Sequence, residues 1–178
     1  MEYKKIITKP LYFLIAIALL AVLFGAIYLI FGSNSIPVVA AGDTIKVYYT
    51  GTLTNGTQFD SDVGGNPLQF TVGSGQVIMG FDRGVIGMKL NETKTITIPA
   101  NEAYGEINSQ LIINVPLAKF GNQTVYVGMH VSEITNGQQL RGIVKAVNAT
   151  TATIDFNHQL AGQTLIFNIK VVEIQKKQ

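Results

Sequence analysis

The residues best suited to chemistry are a tyrosine, a carboxylate and the aromatic side chains around them. In VYYTGTLTNGTQFDSD, Val47 to Asp62, an alternating strand turns at Asn55-Gly56 and returns with Phe59 and Asp60. The return brings Asp60 near Tyr49. A carboxylate directly after a phenylalanine is then either a polar rim on a hairpin or one wall of a pocket. Tyr104, in NEAYGE beside Gly105, presents the same choice between a turn aromatic and a pocket residue. Other chemistries have little to work with. The chain has no cysteine, which excludes a thiolate nucleophile, a thiolate metal site and disulfides. Its two histidines, His130 and His158, stand 28 positions apart and suggest no metal site. His158, after Asn157, reads as a loop-ordering hydrogen-bonder, and His130, alternating with Met129 and Val131, as solvent-facing. No cofactor or metal is expected.

The elements that must position these residues follow from hydrophobic period. TIKVYYT places Ile45, Val47 and Tyr49 on one strand face, and NPLQFTVG does the same for Leu68, Phe70 and Val72. Asn55-Gly56 has the chemistry of a two-residue type I′ hairpin loop. In QVIMGFDRGVIGMKL the period lengthens, with Val77, Phe81, Val85 and Met88 three or four apart, which predicts a short helix. Gly80, Gly84 and Gly87 weaken that helix by about 1 kcal/mol each relative to alanine, so packing must hold it. TKTITIPA returns to a strand ended by Pro99. Beyond NEAYGE the segments GMHVSEI, QQLRGIVKAV and TATIDF read as a second β unit, the first two joined at Asn136-Gly137. LIFNIKVVEI closes the chain with Leu165, Phe167, Ile169 and Val171 on one face. The predicted class is α+β: an antiparallel sheet wrapped on one short helix, with a second small β-rich unit.

Ahead of this lies LYFLIAIALLAVLFGAIYLIF, Leu11 to Phe31, 21 residues without a charge, the length that crosses a bilayer. Lys4, Lys5 and Lys9 precede it and no basic residue follows closely, so the expectation is a single-pass cell-membrane protein. Its N-terminus would be cytoplasmic and the rest extracytoplasmic. A cleaved signal peptide is the rival, with VVA before Ala41 as its site, but the run exceeds the roughly 7–15 residues of a signal-peptide core. From Gly42 onward ten basic and ten acidic residues balance, which argues against a nucleic-acid partner. Four Asn-x-Thr triplets, at Asn55, Asn91, Asn122 and Asn148, agree with export without establishing it.

Taken in order, YTG at 49–51, FDS at 59–61, PLQFTVG at 67–73, QVIMGFDRGV at 76–85, AYG at 103–105 and LIFNIKVVEI at 165–174 resemble the FKBP-type peptidyl-prolyl isomerases. NEAYGE, VPLAKF and above all NHQLAGQTL (Asn157–Leu165) look like the SlyD-like branch, in which a chaperone domain is inserted in the flap. The chain ends in QKKQ without that branch's His-rich metal-binding tail. With the apolar run, residues 1–35 are expected to be cytoplasmic N-terminus, transmembrane helix and start of the linker. The resemblance implies 42–106 and 157–175 as the two parts of an FKBP domain, and 107–156 as the inserted chaperone-like domain.

The family resemblance also implies a proline pocket formed by Tyr49, Phe59 and Asp60 with Phe70, Val77, Ile78, Phe81, Tyr104 and Phe167, and with Leu68, Leu160 and Ala161 beside them. The Ile78 backbone N–H and the Tyr104 hydroxyl would donate to substrate, and Asp60 would orient Tyr49. Phe81 stands where many members carry a tryptophan, and the Leu68 position is aromatic in many eukaryotic members. The implied activity is rotation of X-Pro bonds in unfolded or exported proteins by a monomer, its partners being proline-containing polypeptides. A catalytically weak holdase is the alternative. Leu111, Ile112, Ile113, Val115 and Leu117, with Val125, Val127 and Met129, are too few for a deep core, so a groove for unfolded segments is expected there.

Overall fold

The computed structural model describes residues 17–23, 26, 36–135 and 138–177. The chain divides into Met1–Pro37 and Val38–Gln178. In the first unit residues 17–23 are helical and exposed. Among the described residues no helix is long and apolar enough to cross a membrane, and most of the 11–31 run lies outside them.

The second unit is organised by one long antiparallel pair. β1 (Thr44–Leu53) runs against β9 (Leu165–Gln175) from Thr44↔Gln175 to Leu53↔Leu165, with a bulge beside Lys46. β2 (Gln58–Ser61) and β3 (Leu68–Thr71) share the free edge of β1, and β4 (Thr93–Ile98) covers the other edge of β9. This register turns Ile45 and Val47 of β1 and Leu165, Phe167, Ile169 and Val171 of β9 toward one buried core. Each such side chain contributes about 1.5–3 kcal/mol on burial. The helix α1 (Met79–Val85) lies on that face and adds Phe81 and Val85, four apart as its period requires.

Gly80 and Gly84 explain how closely α1 approaches β4. A Cβ on Gly80 would run into the Ile98 side chain, and one on Gly84 into the tip of Ile96. These glycines weaken the isolated helix but open the space in which it packs.

The Asn55-Gly56 turn differs from the expected type I′ loop. Gly56 has φ 85°, but Asn55 does not share its positive φ, which type I′ demands of both residues. Instead the Gly56 N–H donates to Leu53 O and the Leu53 N–H to Thr57 O, both at 2.9 Å, a longer loop with a glycine bulge. The Asn55 side chain accepts the Thr57 amide, which favours this form.

Between β4 and β9 the chain builds a second sheet. β5 (Ile112–Pro116), β6 (His130–Thr135), β7 (Gln138–Val147) and β8 (Thr151–Asp155) are ordered β5-β8-β7-β6. The junction expected at Asn136-Gly137 lies outside the described residues. Val144, Ala152 and Ile154 are its buried centre, ringed by half-buried residues such as Val115, Phe120 and Phe156. Leu111, Ile112, Ile113, Tyr126, Val127 and Leu140 stay exposed. His130 is exposed as well.

Where the second unit begins, Asp43 is buried and fully engaged. It accepts the Ala40 N–H, the Lys177 N–H and the Lys176 ammonium, the last at 2.8 Å. The Lys176 bond, foremost, and the Ala40 amide hold its carboxyl below the ordinary value near 3.8, outweighing desolvation.

Two outcomes are expected. Gly80→Ala forces a buried isoleucine to move and lowers unfolding stability by about 1–3 kcal/mol. Gly84→Ala displaces only a flexible tip and stays near neutral, because alanine's helix preference of about 1 kcal/mol offsets the contact; urea titration of both variants checks the contrast. A carboxylate with a depressed folded-state pKa stabilises above its unfolded value and loses that contribution as pH falls through the folded value. Asp43→Asn is therefore less stable than wild type at pH 7, with the difference shrinking below about pH 4 in urea titrations across pH.

Candidate active site

Four rings converge where α1 meets the centre of the first sheet. Phe167 of β9 packs edge-on against Phe81 of α1, centroids 5.2 Å apart at 90°, and against Phe59 of β2 at 5.6 Å and 88°. Tyr49 of β1 meets Phe81 at 5.8 Å and Phe167 at 5.9 Å. Edge-to-face pairs at such spacing add about 0.5–1.5 kcal/mol beyond burial, so the cluster is a stiff wall. Gly51 makes it possible. It pairs with Phe167 across β1–β9, and a Cβ there would lie 2.6 Å from the Phe59 ring.

The rings line a cavity of about 470 Å³ completed by Asp60, Leu68, Gly75, Gln76, Val77, Ile78 and Tyr104. Its polar groups are few and positioned. The Tyr49 hydroxyl donates to Asp60 at 2.6 Å, and the Tyr49 backbone N–H donates to Asp62 at 2.6 Å. Burial first, then the Asp60 bond and charge, push the Tyr49 phenol well above its ordinary value. It therefore stays protonated and keeps Asp60 oriented across the neutral range. The Ile78 N–H, at the start of α1, and the Tyr104 hydroxyl make no hydrogen bond among the described residues. Both are free to meet a ligand. The Tyr104 ring is held from behind by His158, stacked at 3.8 Å and 7°. His158 Nδ1 accepts the Leu160 N–H, ordering its loop.

Of the residues singled out in the sequence, Tyr49, Phe59, Asp60, Leu68, Val77, Ile78, Phe81, Tyr104 and Phe167 come together on this cavity. Three do not. Phe70 is buried behind Phe81, 5.8 Å from its ring, and supports the floor from the core. Leu160 lines an adjoining cavity, and Ala161 is buried on the far side of its loop. Missed by sequence reasoning were Gln76 and Asp62. Gln76 accepts the Thr71 N–H and the Ser74 hydroxyl, bracing the loop that carries Val77 and Ile78. Asp62 bridges the backbone amides of Tyr49 and Leu68, tying β1 to the start of β3. The Asp60-x-Asp62 spacing, a second carboxylate two positions on, was the available signal for the second.

A family model described as FKBP-type peptidyl-prolyl cis-trans isomerase matches residues 37–172. The chain is 32% identical over 133 residues to a probable FKBP-type 16 kDa peptidyl-prolyl cis-trans isomerase of Pseudomonas fluorescens, covering 74% of this chain and 88% of that protein. It is 39% identical over 109 residues to the short-type peptidyl-prolyl cis-trans isomerase of Methanocaldococcus jannaschii, covering 61% and 68%. It is 33% identical over 114 residues to the FKBP-type peptidyl-prolyl cis-trans isomerase SlyD of Helicobacter pylori, covering 64% and 62%.

Gly51→Ala is expected to drive Phe59 off Phe167 and narrow the cavity, at a cost of about 1–3 kcal/mol in stability. A crystal structure of the variant with Phe59 unmoved would refute that account of the glycine.

Proposed function

The chain belongs to the FKBP-type peptidyl-prolyl cis-trans isomerase family, and from that membership we propose a membrane-anchored isomerase whose second sheet holds unfolded segments beside the prolyl cavity. Isomerisation of X-Pro bonds is the activity of that family and of this chain. The observation that carries the site assignment is the convergence of Tyr49, Phe59, Phe81 and Phe167 on one cavity that also holds two unengaged donors.

Rotation about a prolyl bond meets a barrier near 18–20 kcal/mol because amide resonance must be broken. A twisted amide has less charge separation than a planar one, so a water-poor aromatic cavity favours it. No nucleophile and no proton transfer is required. The pyrrolidine seats among the rings, the Ile78 N–H and Tyr104 hydroxyl bond the substrate carbonyls, and Asp60 fixes Tyr49 at the edge. Such contacts accelerate rotation only insofar as they strengthen when the bond is twisted.

Beside this, a cavity of about 500 Å³ on the second sheet is lined by Ile113, Val115, Pro116, Phe120, Val131 and Phe156 among others. Ile113 in its lining is exposed, as are Leu111, Ile112 and Leu140 of the same unit, which supports capture of unfolded chain there and a raised local concentration at the prolyl cavity. The same surface favours the second reading, a holdase with little turnover, since Phe81 replaces the tryptophan of many relatives. Anchoring rests on the uncharged run 11–31 behind Lys4, Lys5 and Lys9, which supports a cytoplasmic N-terminus and an extracytoplasmic isomerase. The mass of the protein extracted from membranes tests it, and loss of residues 1–40 would refute the anchor.

Tyr104→Ala and Asp60→Ala are each expected to lower kcat/KM for a prolyl tetrapeptide by roughly five- to tenfold, the worth of one net hydrogen bond, with the fold retained. Unchanged rates in both would overturn the site assignment. Undetectable turnover by wild type in the same protease-coupled assay would favour the holdase. The Asn157 side chain bonds both backbone groups of Asn108, so the two chain crossings into the second sheet are adjacent. Replacing Ile112–Thr153 with a short turn is therefore tolerable. It is expected to spare tetrapeptide turnover while slowing refolding of a whole protein, and an equal loss in both assays would defeat the capture role.

A further inference from the structure

The prolyl cavity does not end at Phe59. The same ring lines a neighbouring cavity of about 540 Å³ between the two sheets, with Arg141, Phe156, His158 and Leu160 among its other walls. On a second side the two spaces adjoin through the stacked pair, since Tyr104 lines the first and His158 the second. No aspartate or glutamate lines the neighbouring cavity. Arg141, exposed on β7, has no carboxylate within ion-pair distance and no hydrogen-bond partner among the described residues. Asp60 accepts Tyr49 and Ser61, and Asp155 accepts the Asn157 amide and side chain, so both are engaged elsewhere.

We propose that this second space is a subsite for the substrate residues flanking the proline, and that Arg141 selects an acidic side chain there. The inference rests on the prolyl cavity being the site of turnover and adds the sequence preference of that site. A chain seated at Phe59 and continuing in either direction meets a surface that is aromatic at its base and positive at its rim. A carboxylate is the group that complements it, because the planar guanidinium offers paired donors matched to two carboxylate oxygens. Because Arg141 is exposed, the preference is modest, about two- to fivefold, and appears in KM, since a rim contact holds ground state and transition state alike.

The test uses the full-length chain and hexapeptides with one proline, carrying glutamate, glutamine or lysine two or three residues from it on either side. An all-alanine flank is the reference. Wild type is expected to favour glutamate over lysine in at least one position by about two- to fivefold in kcat/KM, through KM, with the preference fading in 0.5 M salt. Arg141→Glu inverts the order at that position. Lys145→Glu, the same charge change on the same strand outside this cavity, leaves the order intact. Equal rates for glutamate and lysine peptides at every position would overturn the subsite. So would a preference that survives Arg141→Glu, or one inverted equally by Lys145→Glu. No turnover of the reference peptide would instead overturn the catalytic reading on which the subsite rests.

Discussion

Everything in the isomerase unit depends on the register of β1 against β9. Side chains alternate along a strand, so a slip of one residue would send Ile45, Val47 and Tyr49 to the opposite face from Leu165, Phe167 and Ile169. The core and the cavity would be lost together, because the two are successive stretches of the same strand faces. Ile45 and Val47 of β1 and Ile169 and Val171 of β9 are buried in the core, and Tyr49 and Phe167, farther along the same faces, also line the cavity. The pairing joins segments more than a hundred residues apart, and such non-local closure is slow to form. The second sheet folds within that loop, with its own small core.

Glycine and carboxylate positions then convert a generic sheet-and-helix packing into a shaped site. Gly51 lets Phe59 lie flat over β1, and Gly80 lets α1 descend until Phe81 reaches Phe167. Asp60 and Asp62 divide the work around Tyr49, one fixing its hydroxyl and the other its backbone. Rings held edge-to-face by their neighbours lose little freedom when a pyrrolidine arrives, which is what a cavity acting by shape and dryness requires.

Much of this was legible in the residues. Period-two patterning marked β1, β3, β4 and β9, the change of period marked α1, and the ordered motifs brought nine of the pocket residues into view. What stayed hidden depended on depth and partners. Alternation places Phe70 on the inward face but cannot say that Phe81 stands between it and the opening. Leu160 and Ala161 lie in an aperiodic loop whose path is set by Asn157 and His158, so neighbouring positions end in different cavities. Asn55-Gly56 suggested a tight turn by composition, and the asparagine's bond to Thr57 chose another. The glycines of α1 read as a weakness until β4 was in place to occupy the space they leave.

The Asp43–Lys176 bond has a mechanical corollary. It joins the two chain segments that flank the paired β1 and β9, so both ends of the folded unit leave from one corner. Tension applied across those ends would load the Asp43–Lys176 contact first and then peel the antiparallel ladder one pair at a time, like a zip opened from its slider. Force applied between the start of β1 and the second sheet would instead run along the strands and strain many pairs at once. The same unit is thus soft when pulled by its two ends and resistant when pulled between the start of β1 and the second sheet.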